Sequence, residues 1–442
     1  MSSISLDINY LYTHNTQSNY KITTETIAQT KPVIFEAIQQ VQAQIPQKAY
    51  GFINTLEDHA PELIADQVFQ QSRSNFKTLV VIGIGGSDLG GRALQQAFAH
   101  SPSQPMRLIF HGDSTDPYAI TQLLQQIDLS ETVFNIISKS GETIETVSQY
   151  LLLKNFVQKA TPHWHKHFIF TTDPHHGILQ KEAARTGIAT IPLPSDVGGR
   201  FSVLTTVGTL PARALGLNPK SMRAAAHQFV HDPQGQKVAQ EIAAAQYQLY
   251  TQGTKVAVLT PYSIQLEEFA RWYRQLWAES LGKDGQGILP IQARGPADQH
   301  SQYQFYNQGS PLCSYWHLQI DERPQDYLIE KTDIPEAQYL VGHTLHEIIN
   351  IEQHASKLAL HKYDRPVASL HLQQLTPETI AELFMLFELA VLYLGTMLKV
   401  NVFDQPGVEE GKQFMYALLQ KPGYKQKLTE IQNLTRSQSD SE

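Results

Sequence analysis

Short apolar runs alternate with amphipathic stretches along most of this chain. The runs have the length of buried strands, and the stretches between them repeat apolar residues at helical spacing. The predicted strands are residues 78–83, 106–112, 132–138, 167–172, 189–194, 256–262, 312–320 and 367–375. The predicted helices are residues 89–99, 118–126, 143–159, 178–186, 264–281, 344–362, 377–399 and 408–420. This alternation predicts an α/β fold with parallel, doubly wound sheets, which bind ligands at the carboxyl ends of their strands.

Changes in the pattern divide the chain into five segments. We predict a polar, helical N-terminal segment over 1–75, a first α/β domain over 76–215 and a helical connector over 216–250. A second α/β domain is predicted over 251–405, and a C-terminal helix with a frayed polar tail over 406–442. The two α/β domains share no visible repeat of residues, so their similarity is inferred from the pattern alone.

Composition narrows the class of protein. The 442 residues carry a formal charge of −8, which argues against nucleic-acid binding because such proteins usually present a basic face. A single cysteine, Cys313, excludes an internal disulfide and fits a reducing compartment, so we expect a cytoplasmic protein. The N-terminus has no basic region followed by an apolar run, so no signal peptide is predicted. Residues 383–400 approach the length of a membrane span, but Glu388 in their middle favours a buried core helix.

A glycine-rich turn, GIGGSDLGG at 83–91, follows the first predicted strand. It fails the dinucleotide fingerprint, because Asp88 takes the last glycine position and Asp113 lies too far on for a ribose contact. A nicotinamide-dependent dehydrogenase is therefore disfavoured. The exposed N–H groups of the turn and the hydroxyl of Ser87 suit a phosphate, but a close strand–helix crossing without a ligand explains the turn equally well.

Hydroxyl groups and a lysine cluster where the third predicted strand enters its helix, in SKSGETIET at 138–146. A helix start with orphan N–H groups favours an anion, and hydroxyl donors beside a glycine suit a phosphomonoester. The same hydroxyls could instead be helix N-caps. Three hydroxyls around one glycine favour phosphate binding, and the candidates are Ser138, Lys139, Ser140 and Thr143.

Several further side chains could transfer protons or stabilise charge, although each has a commoner structural explanation. Arg200, after two glycines in VGGRFSVLT, could stabilise an oxyanion or form an ordinary surface ion pair. Gln275 and Glu279 share one helix face, where the carboxylate could be a general base or simply face solvent. His300 in DQHS could be a catalyst or a structural histidine, and Lys412 in FDQPGVEEGK a ligand contact or a surface lysine.

Taken together, and in this order, these motifs resemble the glucose-6-phosphate isomerase family in its shorter bacterial form. The resemblance covers about residues 75–420, and VGGRFSVLTTVG and LGTMLKVNVFDQPGVEEGK look like the two signature segments of the family. It implies two sugar-isomerase (SIS) domains, each a parallel sheet flanked by helices, with helical N- and C-terminal extensions. It also implies reversible isomerisation of glucose 6-phosphate and fructose 6-phosphate by ring opening and proton transfer through a cis-enediolate, without a metal or other cofactor.

The resemblance implies a role for each candidate residue. Glu279 carries a proton between C2 and C1, Arg200 faces the developing enediolate, and Gln275 positions the substrate. His300 assists ring opening together with Lys412, and it comes from the partner subunit of a homodimer. The sugar and phosphate of the substrate are expected to contact Gly86, Ser87, Ser138, Lys139, Ser140 and Thr143.

Two alternatives are compatible with the same motifs. A dual phosphoglucose and phosphomannose isomerase could use the same groups on both epimers, and the sequence does not distinguish it from the single-substrate enzyme. A non-catalytic sugar-phosphate sensor would keep SKSGET and could lose the base and the histidine. The chain has the base Glu279 and the histidine His300 together with Arg200 and Lys412, which counts against the sensor. No metal site, nucleic acid or membrane is expected among the partners of the chain.

Overall fold

Two five-stranded sheets organise the structure, a computed structural model that describes residues 3–13, 20–100 and 104–439. The strands are, in chain order, β1 (Ile4–Asp7), β2 (Thr78–Ile82), β3 (Arg107–His111), β4 (Thr132–Ser138), β5 (Phe168–Thr172), β6 (Ala189–Pro192), β7 (Val256–Pro261), β8 (Leu289–Gln292), β9 (Cys313–Glu322) and β10 (Val367–Gln374). The first sheet has the order β3-β2-β4-β5-β6 and is parallel. The second has the order β1-β10-β9-β7-β8, in which β1 runs antiparallel to β10 and the other neighbours are parallel.

Helices flank both sheets and join them. The N-terminal helices are α1 (Thr24–Gln44), α2 (Gly51–Asn54) and α3 (Ala60–Arg73). The helices that accompany the first sheet are α4 (Leu89–Phe98), α5 (Pro117–Gln126), α6 (Ile144–Ala160), α7 (Ile178–Thr186) and α8 (Thr206–Ala214). The next helices link the sheets and accompany the second one: α9 (Pro219–His231), α10 (Pro233–Thr251), α11 (Glu267–Leu281), α12 (Gly295–Gln299), α13 (Tyr303–Gln308), α14 (Leu345–Lys362) and α15 (Pro377–Leu398). The C-terminal helices are α16 (Glu409–Leu418) and α17 (Lys425–Ser439).

The apolar pattern predicted the central strands because helices cover both faces of each sheet. Every residue of β2 is buried. Leu79 and Val81 belong to the core shared with α4 and α8. Val80 and Ile82 belong to a second core, formed with α5, α6 and α7. All eight predicted strands and all eight predicted helices are present, with ends within three residues of the predicted ones.

The second sheet contains two edge strands that the sequence pattern did not predict. The segment 1–75 was predicted to be helical, but its strand β1 pairs with β10, with Ile4 opposite Leu372. The other unpredicted strand, β8, has four residues and includes Pro290, which is tolerated because β8 lies at the edge of the sheet. Both strands are too short to show an apolar period, and pairing with distant residues decides their conformation.

The most apolar stretch of the chain forms α15, which lies in the core as predicted. This helix is long and apolar enough to cross a membrane, but 89% of its most apolar window is buried inside the fold. Its neighbours include α9, α10 and α11. Glu388 is 1% exposed, and burial raises its pKa well above the ordinary value, which favours the uncharged acid.

The C-terminal segment is more ordered than predicted. The tail predicted to be frayed is QNLTRSQSDSE, residues 432–442; its residues 432–439 belong to α17, and residues 440–442 lie outside the described part of the chain. Lys427 Nζ lies 2.8 Å from Glu410 Oε1 on α16 and 3.0 Å from Glu430 Oε2 within α17. One ion pair links α17 to α16, and the other joins two residues of α17 one turn apart. Both favour the helical conformation.

The strand order of the first sheet leaves a crevice at the carboxyl ends of its strands. The chain continues from β2 to β3 on one side and then crosses to β4 on the other side of β2. The loops that follow β2 and β4 therefore leave the sheet in opposite directions. Open α/β sheets bind ligands at such a topological switch point.

Candidate active site

Two turns of the first domain cross each other at this crevice. The turn Gly85–Ser87 follows β2, and the turn Gly199–Phe201 follows β6. A Cβ atom on Gly86 would lie 2.1 Å from the backbone carbon of Gly199, so the two turns can meet only with glycine there. Ser202 Oγ donates hydrogen bonds to the carbonyls of both glycines, at 3.2 and 2.7 Å. The close approach explains the glycines of GIGGSDLGG in part, and it brings Ser87 beside the loop that carries Arg200.

The SKSGET loop gathers three hydroxyls at the start of α6. Ser138 Oγ lies 2.9 Å from Thr143 Oγ1 and 3.4 Å from Ser140 Oγ. Gly141 turns the loop with a φ of +65°, which glycine adopts at little cost. Thr143 occupies the N-cap position, yet among the described residues its side chain accepts no capping bond. The hydroxyls of Ser138 and Thr143 therefore face each other, which disfavours the N-cap explanation for Thr143.

Lys139 does not extend over this loop. Its ammonium donates hydrogen bonds to the carbonyls of Ser195 at 2.7 Å and Val197 at 2.9 Å. Burial lowers the pKa of Lys139, and the carboxylates of Asp196 and Asp173 oppose that shift. The lysine thus links the SKSGET loop to the segment that precedes Arg200.

Arg200 is a buried residue of the site, which excludes the surface ion pair as its explanation. Its side chain is 1% exposed, and burial lowers its pKa while Glu279 opposes the shift. The guanidinium donates to Ser280 Oγ (2.8 Å), Glu279 Oε2 (3.2 Å), Gln405 Oε1 (2.7 Å), the carbonyl of Asp404 (3.0 Å) and the carbonyl of Val402. Partners on α11 and on residues 402–405 therefore fix the plane of the guanidinium.

Glu279 lies on the last turn of α11, between two hydrogen-bond donors. Gln275 Nε2 donates to Glu279 Oε1 at 2.9 Å, and Arg200 Nη1 donates to Glu279 Oε2 at 3.2 Å. The predicted spacing of four residues thus brings the two side chains of α11 into contact. The carboxylate side chain remains 29% exposed, so it is held in place and still open to the crevice. A fixed carboxylate beside a guanidinium can remove a carbon-bound proton while the cation stabilises the resulting oxyanion.

Aromatic packing on the opposite face of α11 holds this carboxylate in position. The ring of Phe384 on α15 lies 5.3 Å from that of Phe269 and 4.7 Å from that of Trp272. Phe387, one turn further on, lies 5.3 Å from Tyr273. Because these rings are buried, α11 presents its other face, with the base, to the first domain.

Lys412 forms an ion pair within its own helix, α16. Its Nζ is 2.8 Å from Glu409 Oε1, and its side chain is 43% exposed. Tyr416, one turn later on the same face of α16, donates from its hydroxyl to the carbonyl of Glu142 at 3.3 Å. The helix therefore packs against the SKSGET loop, with the lysine on the face that adjoins it.

The structure does not bring His300 to Glu279 of the same chain. His300 is exposed at the end of α12, at the carboxyl edge of the second sheet. Arg294, directly before α12, donates to Glu267 Oε1 at 2.8 Å on the first turn of α11. Glu279 follows twelve residues later on that helix, about 18 Å along its axis. The histidine and the carboxylate thus lie near opposite ends of α11.

Comparisons with known proteins decide the family. The profile of the phosphoglucose isomerase family matches residues 42–438. This chain belongs to the phosphoglucose isomerase family. The glucose-6-phosphate isomerase of Carboxydothermus hydrogenoformans is 36% identical over 402 residues, which cover 84% of this chain and 86% of that protein. That of Rubrobacter xylanophilus is 35% identical over 375 residues, covering 82% and 86%.

Solved structures show the same fold. A hypothetical protein from Thermus thermophilus superimposes with a TM-score of 0.81 at 29% identity, covering 94% of this chain and 99% of that one. The glucose-6-phosphate isomerase of Chlamydia trachomatis superimposes with a TM-score of 0.73 at 23% identity, covering 84% and 77%. The α/β fold with two SIS-type sheets is therefore that of phosphosugar isomerases.

The structure adds one candidate site residue that the sequence did not single out. Gln405 lies in the quoted FDQPGVEEGK motif, and its Oε1 accepts from Arg200 Nη1 at 2.7 Å. Gln405 is one of many glutamines, so its residue type alone does not mark it as a site residue. Its position directly before Pro406 in a signature segment is the sequence signal that could have identified it. Its amide nitrogen remains as a donor beside the guanidinium, where it can contact a substrate oxygen.

Among the described residues, no group of three or more His, Cys, Asp or Glu side chains is arranged to hold a metal ion. The charged groups that meet at the crevice are the guanidinium and carboxylate of Arg200 and Glu279. Neither Lys139 nor Lys412 forms an ion pair with Glu279, since their ammonium groups bond to other partners.

Proposed function

We propose that this member of the phosphoglucose isomerase family interconverts D-glucose 6-phosphate and D-fructose 6-phosphate. The observation that carries the proposal is the contact between the buried guanidinium of Arg200 and the partly open carboxylate of Glu279. The relatives from Carboxydothermus hydrogenoformans and Rubrobacter xylanophilus, which are named glucose-6-phosphate isomerases and cover 84% and 82% of this chain, support the proposal. A proton acceptor next to a fixed cation is the arrangement that aldose–ketose isomerisation requires.

The proposed reaction moves one proton between adjacent carbons and one between oxygens. After ring opening, Glu279 removes the proton from C2 of the aldose and returns it to C1, which gives the ketose. The charge that develops on the enediolate is stabilised by Arg200, which cannot lose its own charge at neutral pH. Gln275 holds the carboxylate through its 2.9 Å hydrogen bond, so the base is in place before the substrate arrives.

The substrate phosphate is proposed to bind at the start of α6. Ser138, Ser140 and Thr143 supply hydroxyl donors there, and the first N–H groups of the helix add partial positive charge. Gly86 and Ser87 are proposed to contact the sugar end from the neighbouring turn. The hydroxyl cluster that leaves Thr143 without a capping bond supports this assignment.

Ring opening is proposed to need a second copy of the chain. His300 and Glu279 lie near opposite ends of α11, so one chain does not offer both groups to one substrate. A homodimer in which His300 enters the partner site would bring it beside Lys412, which lies on the face of α16 next to the SKSGET loop. The histidine would then transfer the ring-oxygen proton, with the lysine assisting.

A coupled assay tests the proposed reaction. Purified protein receives fructose 6-phosphate without added metal, and the formation of glucose 6-phosphate is followed for wild type, Glu279→Gln and Glu268→Gln. Loss of the base should lower kcat by about 10³-fold or more, because the amide cannot accept the carbon-bound proton. Glu268 lies on the first turn of the same helix and pairs with Arg271 at 3.0 Å, so its variant should retain activity.

Two results would contradict the proposal at different points. Turnover by wild type that is unchanged in Glu279→Gln would refute the assignment of the base but not the reaction. Binding of fructose 6-phosphate without turnover would instead indicate a sugar-phosphate sensor.

A cytoplasmic location also belongs to this proposal. It rests on the single cysteine, Cys313, which is buried as a free thiol, and cell fractionation tests it.

A further inference from the structure

The ammonium of Lys139 is directed away from the hydroxyls of its own loop. It donates to the carbonyls of Ser195 and Val197, at 2.7 and 2.9 Å. Within the described parts of the chain, no carboxylate forms an ion pair with it at 4.0 Å or less. Two of its three N–H donors are thus used on the backbone between β6 and the turn that carries Arg200. A lysine that binds phosphate as a point charge would be expected to keep its donors free for the ligand.

The surroundings of Lys139 make these two bonds strong and costly to lose. The lysine is half-buried, and desolvation lowers its pKa. A partly desolvated ammonium gains more from a carbonyl acceptor than one in bulk water does. Removing it would leave the carbonyls of Ser195 and Val197 without these two N–H donors.

The turn that carries Arg200 is closed by its own backbone hydrogen bonds, from Phe201 N–H to the carbonyl of Gly198 and from Ser202 N–H to that of Gly199, but two glycines lie between Arg200 and Val197. Gly198 and Gly199 precede the arginine, and glycine restricts the backbone less than any other residue. On one side, Gly199 packs against Gly86 of the neighbouring turn. On the other side, the lysine supplies the fixed point immediately before the glycine pair.

We propose that Lys139 is a positioning residue for Arg200 and not a ligand of the substrate phosphate. By holding the carbonyls of Ser195 and Val197, it couples the SKSGET loop to the guanidinium that faces the enediolate. Phosphate affinity then resides in the hydroxyls and the start of α6, while Lys139 determines how well the transition state is stabilised. The inference rests on the proposed isomerase function and specifies how its site is assembled.

The test separates turnover from phosphate binding in two variants, Lys139→Met and Lys139→Gln. Measurements are kcat and KM with fructose 6-phosphate and the inhibition constant of inorganic phosphate. Lys139→Met should lower kcat by about 10- to 100-fold, since a small displacement of a catalytic group has such effects. The inhibition constant of phosphate should change by less than about threefold, because no charge-assisted bond to phosphate is lost. Lys139→Gln should retain more turnover than Lys139→Met, because its amide can still donate to a carbonyl.

Matched variants control for binding and for folding. Thr143→Val should raise the inhibition constant of phosphate, which shows that the assay detects loss of a phosphate contact. Lys21→Met removes another buried lysine, which lies 2.7 Å from His361 Nδ1 on α14, and should leave kcat unchanged. Thermal unfolding of each variant identifies any that fails to fold, and the glutamine variant then supplies the result.

The outcomes distinguish this inference from the proposed function. A rise of about tenfold or more in the inhibition constant of phosphate, equal in the Met and Gln variants and with kcat nearly unchanged, would overturn the positioning role and make Lys139 a phosphate ligand. Retention of wild-type kcat and phosphate inhibition in both variants would overturn it as well. An inactive wild-type protein would refute the isomerase function and this inference with it.

Discussion

The guanidinium of Arg200 has an oxygen partner for each of its three nitrogens. Burial makes these bonds expensive to break, because a buried donor left unpaired loses its hydration without compensation. In the proposed reaction, the same fixed geometry lets the guanidinium stabilise new negative charge without reorganising. At the scale of single residues, the site therefore depends on a cation that is held by structure before substrate binds.

Replacing this guanidinium by an ammonium tests that dependence. Arg200→Lys should lower kcat by about 10²- to 10³-fold, as loss of one oxyanion donor does, because lysine cannot reproduce the planar array of donors. Steady-state kinetics with fructose 6-phosphate measure the change. Arg271→Lys is the control. Arg271 shares the face of α11 that carries Glu279 but pairs with Glu268 at 3.0 Å, so this variant should retain wild-type kcat. Equal activity of both variants would contradict a catalytic role for Arg200.

At the scale of elements, the site depends on two turns that cross at backbone contact distance. The contact between Gly86 and Gly199 places the turn after β2 against the turn after β6. Gly85 likewise leaves room for Gln275, whose Nε2 would lie 2.8 Å from a Cβ atom at that position. Glycine in these turns thus sets the distance between the first domain and α11.

An added methyl group at the crossing should separate the turns. Gly86→Ala would place a Cβ atom 2.1 Å from Gly199, so the backbone has to move and carry Arg200 with it. We expect kcat to fall by about 10²-fold, with a smaller change in melting temperature. Gly198→Ala is the matched control, since its Cβ atom would meet only Phe201, at 3.8 Å, and its activity should stay within a few-fold of wild type. Both variants are measured in the same kinetic assay. A loss of kcat in Gly198→Ala as large as that in Gly86→Ala would contradict the importance of the crossing.

The core helix α15 carries a pH-dependent contribution to stability. The pKa of Glu388 is raised in the folded state, so the folded chain keeps its proton above the ordinary value of 4.5, where the unfolded chain loses it. Unfolding then releases a proton, and a rise in pH favours the unfolded state. The carboxyl group therefore lowers stability progressively as pH rises above about 4.5.

Glu388→Gln should remove this pH dependence, because the amide does not titrate. Its melting temperature should exceed that of wild type at pH 8, and the difference should shrink towards pH 4.5. The difference in unfolding free energy grows by about 1.4 kcal/mol for each unit of pKa shift. Glu36→Gln, an exposed position on α1, should show no such trend. A constant difference between Glu388→Gln and wild type across this pH range would contradict the buried acid as its source.

At the scale of the whole molecule, α11 separates groups that one reaction is proposed to need. Its first turn contacts Arg294 and its last turn carries Glu279. Because a helix is rigid, bending of one chain does not bring His300 to its own carboxylate. In the proposed symmetric dimer, each subunit would supply its His300 to the site of the other.

Subunit exchange between two inactive variants tests this arrangement. Glu279→Gln and His300→Ala should each lose activity as homodimers. After unfolding and refolding together, half of the dimers are mixed, and each mixed dimer has one site with both groups intact. We expect recovery of about one quarter of wild-type activity. No recovery, with mixed dimers present by native mass spectrometry, would show that His300 serves its own subunit.

Local sequence was sufficient for the central strands and helices and for the residues of the SKSGET loop. Strands covered on both faces are continuous apolar runs, and α11 and α15 have long apolar faces, so their signals are contained in neighbouring residues. The hydroxyls of Ser138 and Thr143 met as predicted because one turn holds them together. The edge strands β1 and β8 and the helix α17 were not predicted, because their conformations depend on partners elsewhere in the chain.

The sequence alone determined the family, the parallel strands at the centre of both sheets and the residue types available for proton transfer. Tertiary structure decided how those residues are used, since contacts between distant segments are not encoded in local spacing. In the folded chain, Arg200 is buried against Glu279 and also bonds to Gln405. Lys139 bonds to the backbone of another loop, and His300 lies away from Glu279. A side chain acquires its role from the groups that desolvate it and bond to it, and folding alone brings those groups together.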